Sequence, residues 1–133
     1  MKLKSILFEI ANYNLYRFVS ENQLTKILET NMLSREFSTP VNINNQEKHI
    51  LSFTRNKNYK IIKQPIRLTF DRLKLNQKYK LVPYSHYGIK YQSIDLDESE
   101  EVIISTVPII IKDVNKYITQ ICRRNESGKF EPI

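Results

Sequence analysis

The sequence predicts one α+β domain with a curved, mostly antiparallel split β-sheet and a helix near its N-terminus. Two observations favour this class: a strand that runs directly into a capped helix at Ser20, and five or six short strand-like segments after that helix. The chain has 133 residues, of which 41% are hydrophobic and 26% are charged. This size and composition are typical of a single globular domain, and the sequence contains no internal repeat.

The first strand and the helix after it have the clearest local signals. Leu15–Val19 is rich in strand-forming residues. Ser20 is a favourable N-cap, and Gln23 stands three residues later as its partner in a capping box. The helical stripe that follows consists of Leu24, Ile27 and Leu28. We expect the helix to end near Thr30 or Asn31.

The rest of the chain is predicted as short strands joined by polar connections. The predicted strands are Ile50–Thr54, Ile66–Phe70, Tyr79–Val82, Glu101–Val107 and, as a final edge strand, Ile118–Cys122. Residues 33–48 are expected to form a loop, 71–74 a turn or short helical piece, and 113–117 a short helix. Clean alternation in Ile66–Phe70 predicts one buried face, and the nearly continuous apolar run of Glu101–Val107 predicts a central strand.

The two ends of the chain are predicted to lie outside the domain, which would span 15–122. Segment 1–14 is expected to be a tail or a leader, and 123–133 a loosely held C-terminal tail. The basic opening lacks the long apolar core and cleavage site of a secretory signal. Its apolar residues have the spacing of a packing helix and are Leu3, Ile6, Leu7 and Ile10. A packing helix and a processed leader therefore remain alternatives.

The charge and the rare residue types limit the classes of function. A net charge of +7 favours an anionic partner: nucleic acid, a membrane surface or a phosphorylated small molecule. An AT-rich genome is the alternative source of so many lysines. One cysteine and two histidines offer neither an intramolecular disulfide nor a metal-ligand cluster. No apolar run approaches the ~20 residues of a membrane span, so we expect no membrane partner.

Glycine is scarce, with two residues in the chain. Neither a G-x-G-x-x-G turn nor a phosphate-cradling P-loop is present. Any nucleotide must therefore be bound by side chains and strand edges.

Three polar signals occur in order on predicted strands. The first is Tyr16-Arg17-Phe18, directly before the capped helix. The second is Ser52-Phe53-Thr54, whose two hydroxyls share one face of a strand that ends at Arg55. The third is the acidic cluster Glu98–Glu101, where a later strand begins.

The order and strand contexts of these signals resemble the R-S-E class of the mono-ADP-ribosyltransferase fold, over Leu15–Cys122. That class carries an arginine on its first strand, an S-T-S motif on a middle strand and an E-x-E motif leading into a later strand. Ser52-Phe53-Thr54 differs from S-T-S in its central residue, whereas Glu98-Ser99-Glu100 matches E-x-E. Catalytic glutamates of the fold commonly stand directly before the first valine or isoleucine of the strand, and this favours Glu101.

The resemblance implies an ADP-ribosyltransferase-like domain that uses NAD as its substrate, bound in a cleft between sheets. Breaking the bond between nicotinamide and ribose develops positive charge on the sugar, which a carboxylate can stabilise. The catalytic candidates are Glu101, Glu100 and Glu98. The candidates for contacts to NAD are Arg17, Ser52, Thr54, Arg55 and Tyr59. In this scheme the serine bridges the arginine and the glutamate.

The N-terminal residues also resemble proteins of phages. Leu15–Val19 looks like the L-Y-H-F-T start of DarT-like and phage-borne branches, where histidine usually occupies the place of Arg17. Leu7-Phe8-Glu9 resembles the L-x-E processing site of leaders on proteins packaged in the heads of large tailed phages. The implied setting is the host cytoplasm, after packaging in a virion beside other particle components. The acceptor of ADP-ribose would be a host protein or nucleic acid.

The alternative function belongs to a different class. A noncatalytic basic binding module, or a structural protein of a virus particle, would also account for the charge and for tyrosines able to stack on bases. The two functions differ in geometry, because the enzyme requires Arg17, Ser52 and one of the glutamates to meet in one cleft.

Overall fold

The computed structural model describes residues 14–34, 41–43, 45–58, 63–83 and 100–133. Its helices are α1 (Glu21–Thr30), α2 (Arg72–Lys78) and a 3₁₀ helix (Val114–Lys116). Its strands are β1 (Asn14–Val19), β2 (Met32–Ser34), β3 (Val41–Ile43), β4 (Gln46–Thr54), β5 (Ile66–Asp71), β6 (Val82–Pro83), β7 (Glu100–Ser105), β8 (Ile110–Lys112), β9 (Ile118–Arg124) and β10 (Phe130–Pro132). The α+β class is confirmed, and the packing-helix and leader alternatives for the opening segment lie outside the described residues.

A large antiparallel sheet organises the described part of the chain. Its strand order is β10-β9-β5-β1-β4-β7-β6, with β3 paired to β4, while β2 and β8 form a separate pair. All of these pairings are antiparallel. This order places β1, β4 and β7 side by side, so the three polar signals of the sequence lie on neighbouring strands.

Helix α1 follows its sequence signals. The Ser20 hydroxyl accepts a hydrogen bond from the Gln23 amide at 3.1 Å, and the Gln23 side chain accepts one from the Ser20 amide at 2.8 Å. The helix ends at Asn31, whose left-handed conformation (φ 53°) lets its amide donate to the Ile27 carbonyl. Leu24 and Ile27 are buried, whereas Leu28, the third member of the predicted stripe, is exposed.

Replacing Ser20 with alanine should lower the free energy of unfolding by about 1 kcal/mol, because the Gln23 amide in the first turn of α1 loses its side-chain partner. Urea unfolding followed by circular dichroism measures the change. Ser34→Ala is the matched control, since Ser34 is exposed. Equal stability of the two variants would contradict the contribution of the capping box.

The large sheet has two differently covered faces. On one, β1 and β5 contribute Leu15, Val19, Leu68 and Phe70, which pack with α1 in the main core. The other face carries a small cluster of Tyr16, Phe18 and Phe130. Alternation of side chains along β1 accounts for this division.

Strand β5 corrects one expectation of the sequence. The alternation of Ile66–Phe70 predicted a single buried face, yet the polar residues of this strand are buried as well: Arg67 is 4% exposed and Thr69 is 6% exposed. The cause is the position of β5 between β1 and β9, with aromatic side chains covering its second face. A period of two identifies the faces of a strand, but it does not reveal whether the polar face is also covered.

Pairing between segments that are far apart in the sequence explains two further differences between the predicted and the observed elements. The predicted loop 33–48 contains most of β2, all of β3 and the start of β4, which pair with β8, with β4 and with β3 respectively. The predicted strand Tyr79–Val82 begins at the C-cap of α2, which ends at Lys78, and only Val82–Pro83 pairs, with β7. These short segments contain few apolar residues in alternation, and their strand geometry depends on the partner.

The C-terminal residues also differ from expectation. Ile118–Cys122 was predicted as an edge strand, but β9 continues to Arg124 and lies between β5 and β10. Residues 123–133, expected as a tail, complete the sheet because Phe130–Pro132 pairs with Cys122–Arg124. Phe130 packs against Phe18 with ring centroids 5.7 Å apart, which holds the last strand on the sheet.

An ion pair between Arg123 and Glu21 joins β9 to the start of α1. Arg123 Nε lies 2.6 Å from Glu21 Oε1, and the guanidinium lowers the pKa of the Glu21 carboxyl below its ordinary value of 4.5. A lowered folded-state pKa contributes stability above pH 4.5 that is lost as the pH falls through the folded-state value. Nuclear magnetic resonance titration should therefore show the Glu21 pKa rising towards its ordinary value in Arg123→Gln. An unchanged Glu21 pKa in that variant would show that the pair does not form in solution.

Candidate functional site

Arg17 connects the first two motif-bearing strands. Strands β1 and β4 pair at Tyr16 and Thr54, and beyond that pair the Arg17 Nη1 donates a hydrogen bond of 2.8 Å to the Ser52 carbonyl. A side-chain donor thus meets a main-chain acceptor between the two strands. The structure therefore brings Arg17 to the backbone of Ser52, but it does not bring the two side chains together: on β1 the Arg17 side chain shares the core face with Leu15 and Val19, whereas the Ser52 side chain points to the other face, contrary to the expectation of one shared cleft.

Glu101 is a buried carboxylate at the start of β7, and it contacts two partly exposed arginines. The Arg72 Nε donates to both carboxylate oxygens, at 2.9 and 3.2 Å, and its Nη2 lies 2.8 Å from Oε1. The Arg55 Nε is 3.8 Å from Oε2. Only 3% of Glu101 is exposed. We call Glu101, Arg72 and Arg55 the Glu101 cluster.

The register of β4 and β7 separates Ser52 from Glu101. Phe53 pairs with Glu101, and Ser52 pairs with Val102. Because neighbouring residues of a strand point to opposite faces, the Glu101 side chain shares the core face with Phe53, whereas Ser52 and Thr54 point to the other face. The expected serine bridge between the arginine and Glu101 is therefore incompatible with the pairing of these strands.

Of the remaining predicted site residues, the structure describes Thr54 and the backbone of Glu100. Thr54 is buried, and its hydroxyl accepts a hydrogen bond from the Asn56 amide at 3.0 Å, which helps to turn the chain after β4. Glu100 occupies the register position opposite Thr54. Tyr59 and Glu98 lie outside the described residues, as does the side chain of Glu100. Their predicted roles stay predictions.

Two arginines that the sequence analysis did not single out take part in buried contacts. Arg72 is the first residue of α2, where the Asp71 side chain caps the helix by accepting from the Lys74 amide at 3.2 Å. This cap fixes the direction from which Arg72 reaches Glu101. Arg67 is buried on β5. The sequence signal for Arg67 was a cation between the apolar residues Ile66 and Leu68 of a predicted strand, whereas no local pattern indicated a role for Arg72.

Comparison with known proteins identifies no relative: the chain matches no protein-family model, no curated protein and no solved structure. In the described part of the chain, neither α-helix has the length and apolar character needed to cross a membrane. The same residues contain no group of three His, Cys, Asp or Glu side chains placed to share a metal ion.

Proposed function

We propose that the protein is an NAD-dependent mono-ADP-ribosyltransferase that modifies a macromolecular acceptor. The observation that supports this most strongly is the adjacency of β1, β4 and β7, which carry Arg17, Ser52 and the glutamates in the order of the R-S-E resemblance. Sequence order alone does not require these strands to be neighbours. Their pairing places the Ser52 and Thr54 hydroxyls on the same face as the register position of Glu100, while Arg17 reaches the Ser52 backbone from the core face.

We assign the catalytic carboxylate to Glu100 rather than to Glu101. Glu101 is buried and held by Arg72 and Arg55, and its orientation towards the core takes it away from the Ser52 hydroxyl. Glu100 pairs with Thr54, on the strand that also carries Ser52. A carboxylate supplied from this register position would stabilise positive charge on the ribose as the bond to nicotinamide breaks.

Arg17 acts in this proposal as a positioning residue. Its hydrogen bond to the Ser52 carbonyl holds β1 and β4 at a fixed separation from the core side of the sheet, behind the face that carries the hydroxyls. A charged donor on a carbonyl is stronger than a neutral hydrogen bond, so this contact is well suited to fixing the site before the substrate binds.

Incubation of the purified protein with labelled NAD and a bacterial lysate tests the proposal. We expect release of nicotinamide together with transfer of label to a macromolecule, and nuclease or protease digestion identifies the acceptor class. Ser52→Ala should lower the rate of nicotinamide release, by up to about a hundredfold if its hydroxyl positions the ribose. The exposed Ser34→Ala provides the matched control. A folded wild-type protein that releases no nicotinamide above the buffer rate would refute the proposal.

A noncatalytic basic binding module is the second candidate function. The observation that favours it is the Glu101 cluster, in which two guanidiniums neutralise the buried carboxylate. A protein of this kind would keep the fold and bind an anion without consuming NAD. In the lysate experiment it would leave NAD intact and show no transfer of label.

A further inference from the structure

A group of basic residues lies towards the opposite end of the sheet from β7, near β5, β9 and β10. A pocket of about 430 Å³ is lined there by Lys57, Asn58, Arg67, Arg124, Gly128, Lys129 and Phe130. We call it the Arg67 pocket. Four of its lining residues are basic and none is acidic. Its volume is within the range of pockets that take small organic ligands.

Arg67 is the most buried cation of this pocket, at 4% exposure. Its Nη1 donates to the Lys57 carbonyl at 3.3 Å, and its Nη2 makes a weak contact of 3.6 Å with the Cys122 sulfur. Its Nε is buried and has no hydrogen-bond partner within the described structure. No carboxylate of the described residues pairs with this guanidinium.

Aromatic rings compensate the buried charge in part. The Arg67 guanidinium carbon lies 4.7 Å from the centroid of the Phe130 ring and 5.9 Å from that of Tyr16. The Arg124 guanidinium carbon lies 4.8 Å from the same Phe130 ring. Two cations therefore share one ring. A cation–π contact is weaker than the cost of desolvating an ion, so the rings offset only part of that cost.

The β9–β10 hairpin holds one wall of this pocket in place. The Asn125 side chain accepts hydrogen bonds from the Lys129 amide at 2.9 Å and from the Ser127 hydroxyl at 2.7 Å. Gly128 closes the turn with φ of +84°, a conformation that favours glycine. Lys129 and Phe130 are thus positioned by the turn, so the wall is largely formed before a ligand arrives.

We infer that the Arg67 pocket binds a phosphate group of a small or polymeric anionic ligand. A phosphate would supply the negative charge that Arg67 lacks and would accept hydrogen bonds from a planar guanidinium, a geometry that favours this pairing. Lys57 and Lys129, both exposed, would add charge at the entrance. The net charge of +7 would attract such a ligand over a longer distance.

This site goes beyond the proposed transferase activity and does not depend on it. The ligand chemistry is that of a phosphate, and its source could be a mononucleotide or the backbone of a nucleic acid. A competition experiment against bound pyrophosphate separates the two sources. Displacement by AMP would indicate a mononucleotide, whereas displacement by a short oligothymidylate but not by AMP would indicate a nucleic acid.

Calorimetric titration of sodium pyrophosphate into the full chain at low salt tests the site. We expect saturable binding with a Kd of about 1 mM or below. Arg67→Met should weaken binding by roughly tenfold or more, because methionine keeps much of the length of the side chain but has neither the charge nor the hydrogen-bond donors of the guanidinium. Lys129→Gln should weaken it by a few fold. Lys112→Gln removes the same charge from an exposed lysine that does not line the pocket, and should bind like the wild type.

Thermal unfolding provides a second measurement. Pyrophosphate should raise the Tm of the wild type but not that of Arg67→Met, because only the native pocket binds the ligand. Without ligand, Arg67→Met should be at least as stable as the wild type, since it removes a buried charge that has no carboxylate partner. If this variant does not fold, the comparison of Lys129→Gln with Lys112→Gln decides. Absent wild-type binding, or equal weakening in the two lysine variants, would overturn the inference.

Discussion

Glu100→Gln should lower the rate of NAD turnover by about a hundredfold or more, whereas Glu101→Gln should retain turnover in proportion to the protein that remains folded. Glutamine keeps the size of the side chain and removes the negative charge that would stabilise the ribose cation. The difference follows from the register, which places Glu100 opposite Thr54 and turns Glu101 towards the core. Nicotinamide release under single-turnover conditions measures the chemical step.

The two variants also differ in stability, which provides the internal control. Glu101→Gln removes the charge that holds Arg72 and Arg55, so we expect a lower Tm for it. Glu100→Gln should melt close to the wild type. The assignment is wrong if Glu101→Gln, measured on folded protein, loses NAD turnover while Glu100→Gln keeps it.

Arg72→Met, at the first residue of α2, should lower the free energy of unfolding by about 3 kcal/mol. The substitution leaves the Glu101 carboxylate buried without its main partner, from which it now accepts at 2.8–3.2 Å. Arg72 is 29% exposed at its side chain, so the pair is only partly screened by solvent. Urea unfolding at neutral pH measures the loss.

The control and the double variant separate charge pairing from packing. Lys74→Met makes a similar change at an exposed position of the same helix and should cost little. In Arg72→Met/Glu101→Gln both charges are absent, so the double variant should lose less than the sum of the single losses, with a coupling of about 1–3 kcal/mol. Additive losses would show that the ion pair contributes nothing beyond the separate side chains.

The local elements could be predicted from the sequence because their causes lie within a few residues. The capping box at Ser20 and Gln23 determines where α1 begins. The apolar runs around Leu68 and Ile103 identify β5 and β7, whose side chains reach the core. The sequence also placed Arg17 and Ser52 on the two strands that a hydrogen bond now joins.

The pairing of strands is the part that the sequence alone left open. Pairing decides which face each residue occupies, and a shift of one residue reverses the faces. The register of Phe53 with Glu101 therefore set the orientation of Glu101, which the apolar run on both sides of β7 could not indicate. Arg72, the main partner of Glu101, is 29 residues away in the chain, so no local sequence pattern could predict their contact.

The amino-acid sequence by itself determined the α+β class, the capped helix, the main strands and the basic charge of the protein. Only the tertiary structure decided that β10 completes the sheet, that Glu101 is buried with two arginines, and that Arg67 lies covered beside Phe130. The physical reason is the range of the interactions. Caps and periodic apolar faces act between near neighbours, whereas burial of a charge depends on every segment that packs over it.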